Sequence, residues 1–223
     1  MAGNYKKTVA MCFAATASIA FFTGCNTEKA LAEAAANGDV ESQYELALYY
    51  NELDAPQPTK SFEWMKRAAG SRFSPAMKEL ALYYLKGYGT DINYQQAALW
   101  YSRYFSISRN TKETLECARQ IMLGATNRID VVAGFSLFNM TIMHENENGT
   151  PDSEIATDAA REMLTHSAKF FNWLLDARKY NDAIKLLEYT EKCYKEYPLA
   201  FAPETGDQLK SMRKKLIAHM EHN

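Results

Sequence analysis

Few side chains in this chain are spaced so that they could do chemistry. His219 and His222 stand one turn apart, so both can face one side of a helix. A metal site needs about three or four ligands. Only Glu221 is near, on a different face, so a solvated helix end is expected and no metal site. Glu162 and His166 repeat the one-turn spacing and read as a surface contact. Gly87-Tyr88-Gly89-Thr90 has the glycines of a phosphate cradle. No Lys-Ser or Lys-Thr follows it, and no buried strand precedes it. Gly134-Phe135-Ser136-Leu137-Phe138 begins like a nucleophile elbow, but it lacks the second glycine and sits in a helical pattern. Cys117 and Cys193 are too few for a disulfide framework, and each is expected to pack in the core. No acid, base, nucleophile and binding pocket can be assembled. The expectation is a protein that is not an enzyme and has no catalytic residues and no small-molecule cofactor.

Composition sets further bounds. The chain has 223 residues, 47% hydrophobic and 23% charged, enough for a sizeable core. A formal net charge of −2 gives no field that would draw nucleic acid, so no nucleic-acid partner is expected.

The N-terminus differs from the rest. Lys6 and Lys7 precede an uncharged run from Thr8 to Thr23, which ends at Gly24 and Cys25. A basic start, a short apolar run and a small residue at the cut describe a secretory signal peptide over 1–24. The run is short for a membrane-spanning helix. Phe22-Thr23-Gly24-Cys25 resembles a bacterial lipobox, with Phe22 in place of the usual Leu. That resemblance implies lipidation of Cys25 and a mature chain starting there. Removal of Lys6 and Lys7 with no acid would leave a side-chain net charge of −4. Asn26 follows, not the Asp that is similar to an inner-membrane retention signal. The implied location is the bacterial cell envelope, lipid-anchored at the outer membrane and facing the periplasm. Lipid chains contribute about 0.8 kcal/mol per buried CH₂.

Helices must position everything after residue 25. Glu45-Leu46-Ala47-Leu48-Tyr49-Tyr50 returns as Glu79-Leu80-Ala81-Leu82-Tyr83-Tyr84, an interval of 34 residues. A fixed period of this size marks stacked helical pairs. Residues 30–38 read as an Ala-rich helix stopped by Gly38. Asp39-Val40-Glu41-Ser42 opens the helix carrying the first hexapeptide. Pro56 and Pro58 break it, and Thr59 is the expected N-cap of the next. Ser74 and Pro75 start the second unit, Gly87–Thr90 turns it, and a helix follows from about Asn93. Asn146–Ser153 is polar, with Asn-Gly and Pro, and reads as a linker. Ile155–Thr165 and Ala168–Lys179 fit one long helix or two short ones. Leu209, Met212, Leu216 and Met220 give the last segment an apolar stripe that can close the stack.

The stretch 36–50 resembles the start of a Sel-one-like repeat, a relative of the tetratricopeptide repeat. Ala76, Leu80, Ala81, Tyr84, Gly87, Gly89, Ala97, Trp100 and Tyr101 carry the same resemblance, and Trp64 with Ala68-Ala69 matches a unit's end. Ala47 and Ala81 stand where the family prefers Gly, and Leu53-Asp54-Ala55 replaces the first unit's Gly-x-Gly turn. A degenerate third unit follows at an offset of 37: Ala118, Gly124, Ile129, Gly134 and Leu137-Phe138 occupy the matching places. Tyr180-Asn181-Asp182-Ala183-Ile184 with Leu187 and Pro198 is similar to a tetratricopeptide second helix. The resemblance implies an all-α fold, a right-handed α-solenoid of stacked antiparallel helical pairs with a C-terminal capping helix. Its parts would be a leader 1–24, a repeat solenoid 25–145, a linker 146–153 and a tetratricopeptide-like region with its cap 154–223.

Within that frame Leu46, Ala47 and Tyr50 belong to packing, as do Leu80, Ala81 and Tyr84. Cys117 falls in the Leu column. Glu45, Glu79 and Glu116 form one further column, and Tyr49, Tyr83 and Gln120 another. Stacked helices lie about 8–10 Å apart, so such columns make rungs on one face. In related solenoids that face is the concave groove, and Tyr offers large contact area at low entropy cost. The expected function is a lipid-anchored scaffold or adaptor that binds a partner protein or peptide in the envelope. Acidic rungs suit a basic segment. Two alternatives are a pilotin-like lipoprotein that escorts a secretion or pilus component, and a cell-wall enzyme or activator with a carboxylate pair in 150–223.

Overall fold

The structure, a computed structural model, describes the backbone of residues 20–150 and 153–221, with side chains from residue 27 onward. The expected leader therefore lies largely outside the described residues. Among the described residues there are ten α-helices and no strand. They are α1 (Ala20–Ala36), α2 (Val40–Glu52), α3 (Pro58–Gly70), α4 (Ser74–Lys86), α5 (Tyr94–Ser108), α6 (Thr111–Gly124), α7 (Arg128–Glu147), α8 (Glu154–Asp176), α9 (Tyr180–Glu196) and α10 (Thr205–Glu221). A 3₁₀ turn, Pro198–Ala200, separates the last two. The fold is all-α, of the α-solenoid class. The chain divides into two compact units between Ala76 and Met77.

In the first unit, α1 begins at Ala20, ahead of the expected start at 30. It ends at Ala36, and Gly38, two residues on, takes a φ of 96° that favours a residue without a Cβ. Asp39 caps α2, its carboxylate accepting from the Ser42 N–H at 2.8 Å; hydrogen bonding from the Ser42 side chain, then from its N–H, holds the carboxyl below its ordinary value. Helices α1 and α2 pack through Ala35, Leu46 and Tyr50, with Leu31, Tyr49, Leu53 and Trp64 around them. Helix α3 starts at Pro58, with Gln57 rather than Thr59 as N-cap. Proline's missing N–H is one of the orphans at a helix start, and its φ is already helical, so the helix begins at the residue read as a breaker. Ala47 is fully buried and lets α3 approach, and the Ser61 hydroxyl donates to the Ala47 carbonyl at 2.7 Å.

The second unit carries α5 to α10 and α4 from Met77. The Asn93 N–H donates to the Tyr84 carbonyl at 2.8 Å; in the first unit the Gln57 N–H donates to the Tyr50 carbonyl at 2.9 Å. Each repeat thus ties its second helix's cap to its consensus tyrosine, even though the two turns differ in length and residues. Asn93, Asn110 and Asn127 cap α5, α6 and α7 through their side chains. The degenerate unit is a true helical pair. Ala118, Leu137 and Phe138 are fully buried, and a Cβ on Gly134 would sit 2.5 Å from the Met122 sulfur. Helix α8 is one continuous helix of 23 residues. It packs on α7 and on α9. The Asn146–Ser153 stretch therefore joins two packed helices within one unit. Ser167 and Thr190 meet at 3.0 Å in the buried α8–α9 contact, and the Thr190 hydroxyl donates to the Leu186 carbonyl at 2.9 Å. Helix α10 buries Leu209, Met212 and Leu216, while Met220, in its last turn, is exposed.

Candidate functional site

The two columns of open positions have different fates. Glu45 on α2 is exposed. Tyr49 is half-buried, with its ring 5.8 Å from that of Tyr50 in an edge contact. Tyr50 is buried; its hydroxyl donates to the Glu28 carboxylate at 2.9 Å, and burial, then Glu28, pushes its pKa up to about 12. Glu79 on α4 is half-buried, and desolvation raises its carboxyl against the opposing pull of Lys78 and Lys86. Tyr83 is only 5% exposed and is not an open position. The Gly87-x-Gly89 turn, with φ of 70° and 69°, folds Tyr88 back so that the two rings meet at 4.9 Å. The first repeat has no such turn, and Tyr49 keeps part of its surface. Glu116 on α6 is exposed and accepts from the Gln120 amide at 3.0 Å.

Within the second unit these positions lie among paired charges rather than on an acidic strip. Lys78 on α4 reaches Glu113 on α6 at 2.8 Å, and the Tyr104 hydroxyl donates to the same carboxylate at 3.0 Å. Burial alone would raise the Glu113 carboxyl; the bonds from Lys78 and Tyr104 outweigh it and the net direction is down. Arg119 on α6 reaches Glu162 at 2.6 Å and Asp158 at 3.7 Å on α8, and Glu116 at 3.8 Å. Asp158 and Glu162, two carboxylates of the 150–223 region, are thereby both engaged by Arg119.

The remaining candidates resolve individually. Gly87–Thr90 is the turn between α4 and α5. Ser136 lies inside α7, its hydroxyl donating to the Ala133 carbonyl at 2.7 Å. His219 Nδ1 bonds the Lys215 carbonyl at 2.9 Å, and His222 is outside the described residues. His144 sets its ring edge-on to Phe105 at 5.3 Å. Among the described residues no three His, Cys, Asp or Glu side chains are grouped to hold a metal. Cys117 and Cys193 are buried and unbridged, and burial pushes their thiols up to about 12 and about 11. Cys25 lies on the backbone of α1, with its side chain outside the described residues. No helix among the described residues is long and apolar enough to cross a membrane.

One feature lies outside the repeat columns. Between α6, α7 and α8 opens a cavity of about 210 Å³, floored by Met122, Val131, Phe170 and Trp173. Ala125, Thr126, His166 and Lys169 complete its lining. Trp173 is 44% exposed and stacks on Phe170, centroids 5.1 Å apart and planes 13° from parallel. The signal in the sequence was Lys169-Phe170-Phe171-Asn172-Trp173. Phe171 goes to the core, and the aromatics one turn apart, 170 and 173, stay at the surface.

Comparison with known proteins agrees with the repeat geometry. The Sel1 repeat family model matches residues 40–70 and 74–103. No curated protein matches the chain. Among solved structures, a Sel1 repeat protein from Oxalobacter formigenes is similar at 17% identity and a TM-score of 0.43, over 84% of this chain and 77% of that one. The protective antigen c5321 of uropathogenic Escherichia coli, which displays an SLR fold, is similar at 16% identity and a TM-score of 0.41. That match covers 84% of this chain and 48% of the antigen. Sel1-repeat proteins are generally protein-interaction scaffolds. The two matched segments coincide with the helical pairs α2–α3 and α4–α5, and the chain accordingly carries two Sel1 repeats.

Proposed function

We propose that the protein is a lipid-anchored adaptor of the bacterial cell envelope, held to the outer membrane through Cys25 and binding a partner protein or peptide through its repeat helices. The Sel1 repeats carry the reading, because this repeat generally serves protein binding. Support also comes from side chains that the packing frame leaves wholly or partly exposed, namely Glu45, Tyr49, Glu79, Glu116 and Gln120. The uncharged run before Thr23-Gly24-Cys25 supports the anchor.

Crosslinking and affinity capture of the native protein test the binding half. Replacing Glu45, Tyr49, Glu79 and Glu116 together by Ala should deplete the captured partner about tenfold; undiminished capture would sink the repeat-face reading. Metabolic labelling with a palmitate analogue tests the anchor. Label should appear in the wild type and vanish in Cys25→Ser, with the variant released from membranes. A membrane-bound, labelled Cys25→Ser protein would refute it.

A further inference from the structure

We propose that the cavity between α6, α7 and α8 is the docking site for a partner-protein segment that inserts a bulky apolar side chain flanked by carboxylates. The proposal rests on the adaptor reading and adds the place of contact and the partner's chemistry.

The floor fits a large apolar group. A cavity of about 150 Å³ lined by apolar residues accommodates benzene, and this one measures about 210 Å³. Trp173 is the residue type that dominates binding energy when it sits in a packed pocket. Its stack on Phe170 holds the ring before any partner arrives, which lowers the entropy lost on binding. Met122 can adapt its shape to the incoming group.

The rim decides the flanking charge. Lys169 lines the opening; Lys179, outside the lining like Asp176, places its ammonium 5.0 Å from the centre of the Trp173 ring. Among the described residues neither lysine has an ion-pair partner, while three nearby acids are engaged by arginines. Glu162 and Asp158 are held by Arg119, and Asp182 by Arg128 at 3.1 Å. Asp176 is exposed and outside the lining. No carboxylate lines the cavity. An aromatic floor under a cationic rim attracts apolar residues next to Asp or Glu and repels those next to Lys or Arg.

The test uses the full chain and two fluorescein-labelled peptides. One has a central Trp flanked by Glu on both sides, and in the other Lys replaces every Glu. Fluorescence anisotropy should show the acidic peptide binding about tenfold tighter than the basic one. Trp173→Ala should weaken the acidic peptide about tenfold, and Lys169→Glu should reverse the preference. Lys214→Glu, the same charge change on the exposed face of α10, should leave both affinities unchanged. Equal binding of the two peptides overturns the stated chemistry, as does an equal response to Lys169→Glu and Lys214→Glu. Failure of both peptides to bind overturns the cavity as a docking site. If Trp173→Ala instead turns a sedimenting dimer into a monomer, the occupant is a second copy and the proposal falls. Each of these outcomes leaves the capture experiment free to support or refute the adaptor reading.

Discussion

Arg72 and Arg178, just past the ends of α3 and α8, hold φ values of 65° and 56°. Both sit in the same crossed pattern of hydrogen bonds as Gly38. The Arg72 and Phe73 N–H groups donate to Ala69 and Ala68, as those of Gly38 and Asp39 donate to Ala35 and Ala34. Left-handed backbone costs a residue with a Cβ about 1–2 kcal/mol. Gly removes that cost and loses about 0.4–1 kcal/mol through its more disordered unfolded state. Arg72→Gly should therefore raise the unfolding free energy by about 0.5–1 kcal/mol, seen as a higher urea midpoint at unchanged slope. A lower midpoint would mean that the arginine side chain contributes more than the strain removes. Tyr49 and Tyr83 show how far a neighbouring turn overrides a repeat position. They share a repeat position, yet the glycine turn beside one of them moves it to the interior.

The helix pair α6–α7 depends on one small residue. Gly134 is buried, and the Met122 sulfur and Cγ lie only 2.5 and 3.0 Å from where a Cβ would go. The repeat pattern calls for a small side chain at this place, and the degenerate unit keeps it after losing most other consensus letters. Gly134→Val should cost about 1–3 kcal/mol by overpacking, measured as a fall in Tm without loss of helical circular dichroism at low temperature. A Tm equal to the wild type would show that Met122 vacates the site freely. Helix starts were less legible than helix pairs. Pro58 read as a breaker begins α3, because the same lack of an N–H that stops a helix is harmless in its first turn. Helix α8 runs unbroken because no Gly or Pro interrupts Glu154–Asp176.

Over the whole molecule, acid should act in two steps. His166 has a folded pKa below its ordinary 6.5, because burial disfavours the imidazolium and Lys169 adds to it, against the pull of Glu162. The unfolded chain therefore takes this proton first. The stability is complete above pH 6.5 and is lost as pH falls through the folded value. Glu113 has a folded pKa below 4.5, so its contribution is present above that pH and disappears on further acidification. Denaturation curves across pH should show both losses, with His166→Gln flattening the upper one and Glu113→Gln the lower. If neither variant changes its own window, these groups do not govern acid stability. The fold class, the helical pairs and the burial of Cys117 were determined by the sequence alone, because an interval of 34 residues, then 37, and one small residue per pair are local rules that repeat. The cavity lined by Trp173, the pairing of Arg119 with Asp158 and Glu162, and the burial of Tyr83 were decided only by tertiary structure. Each depends on which neighbouring helix or turn a side chain meets, and a residue's type and spacing along its own helix do not encode that neighbour.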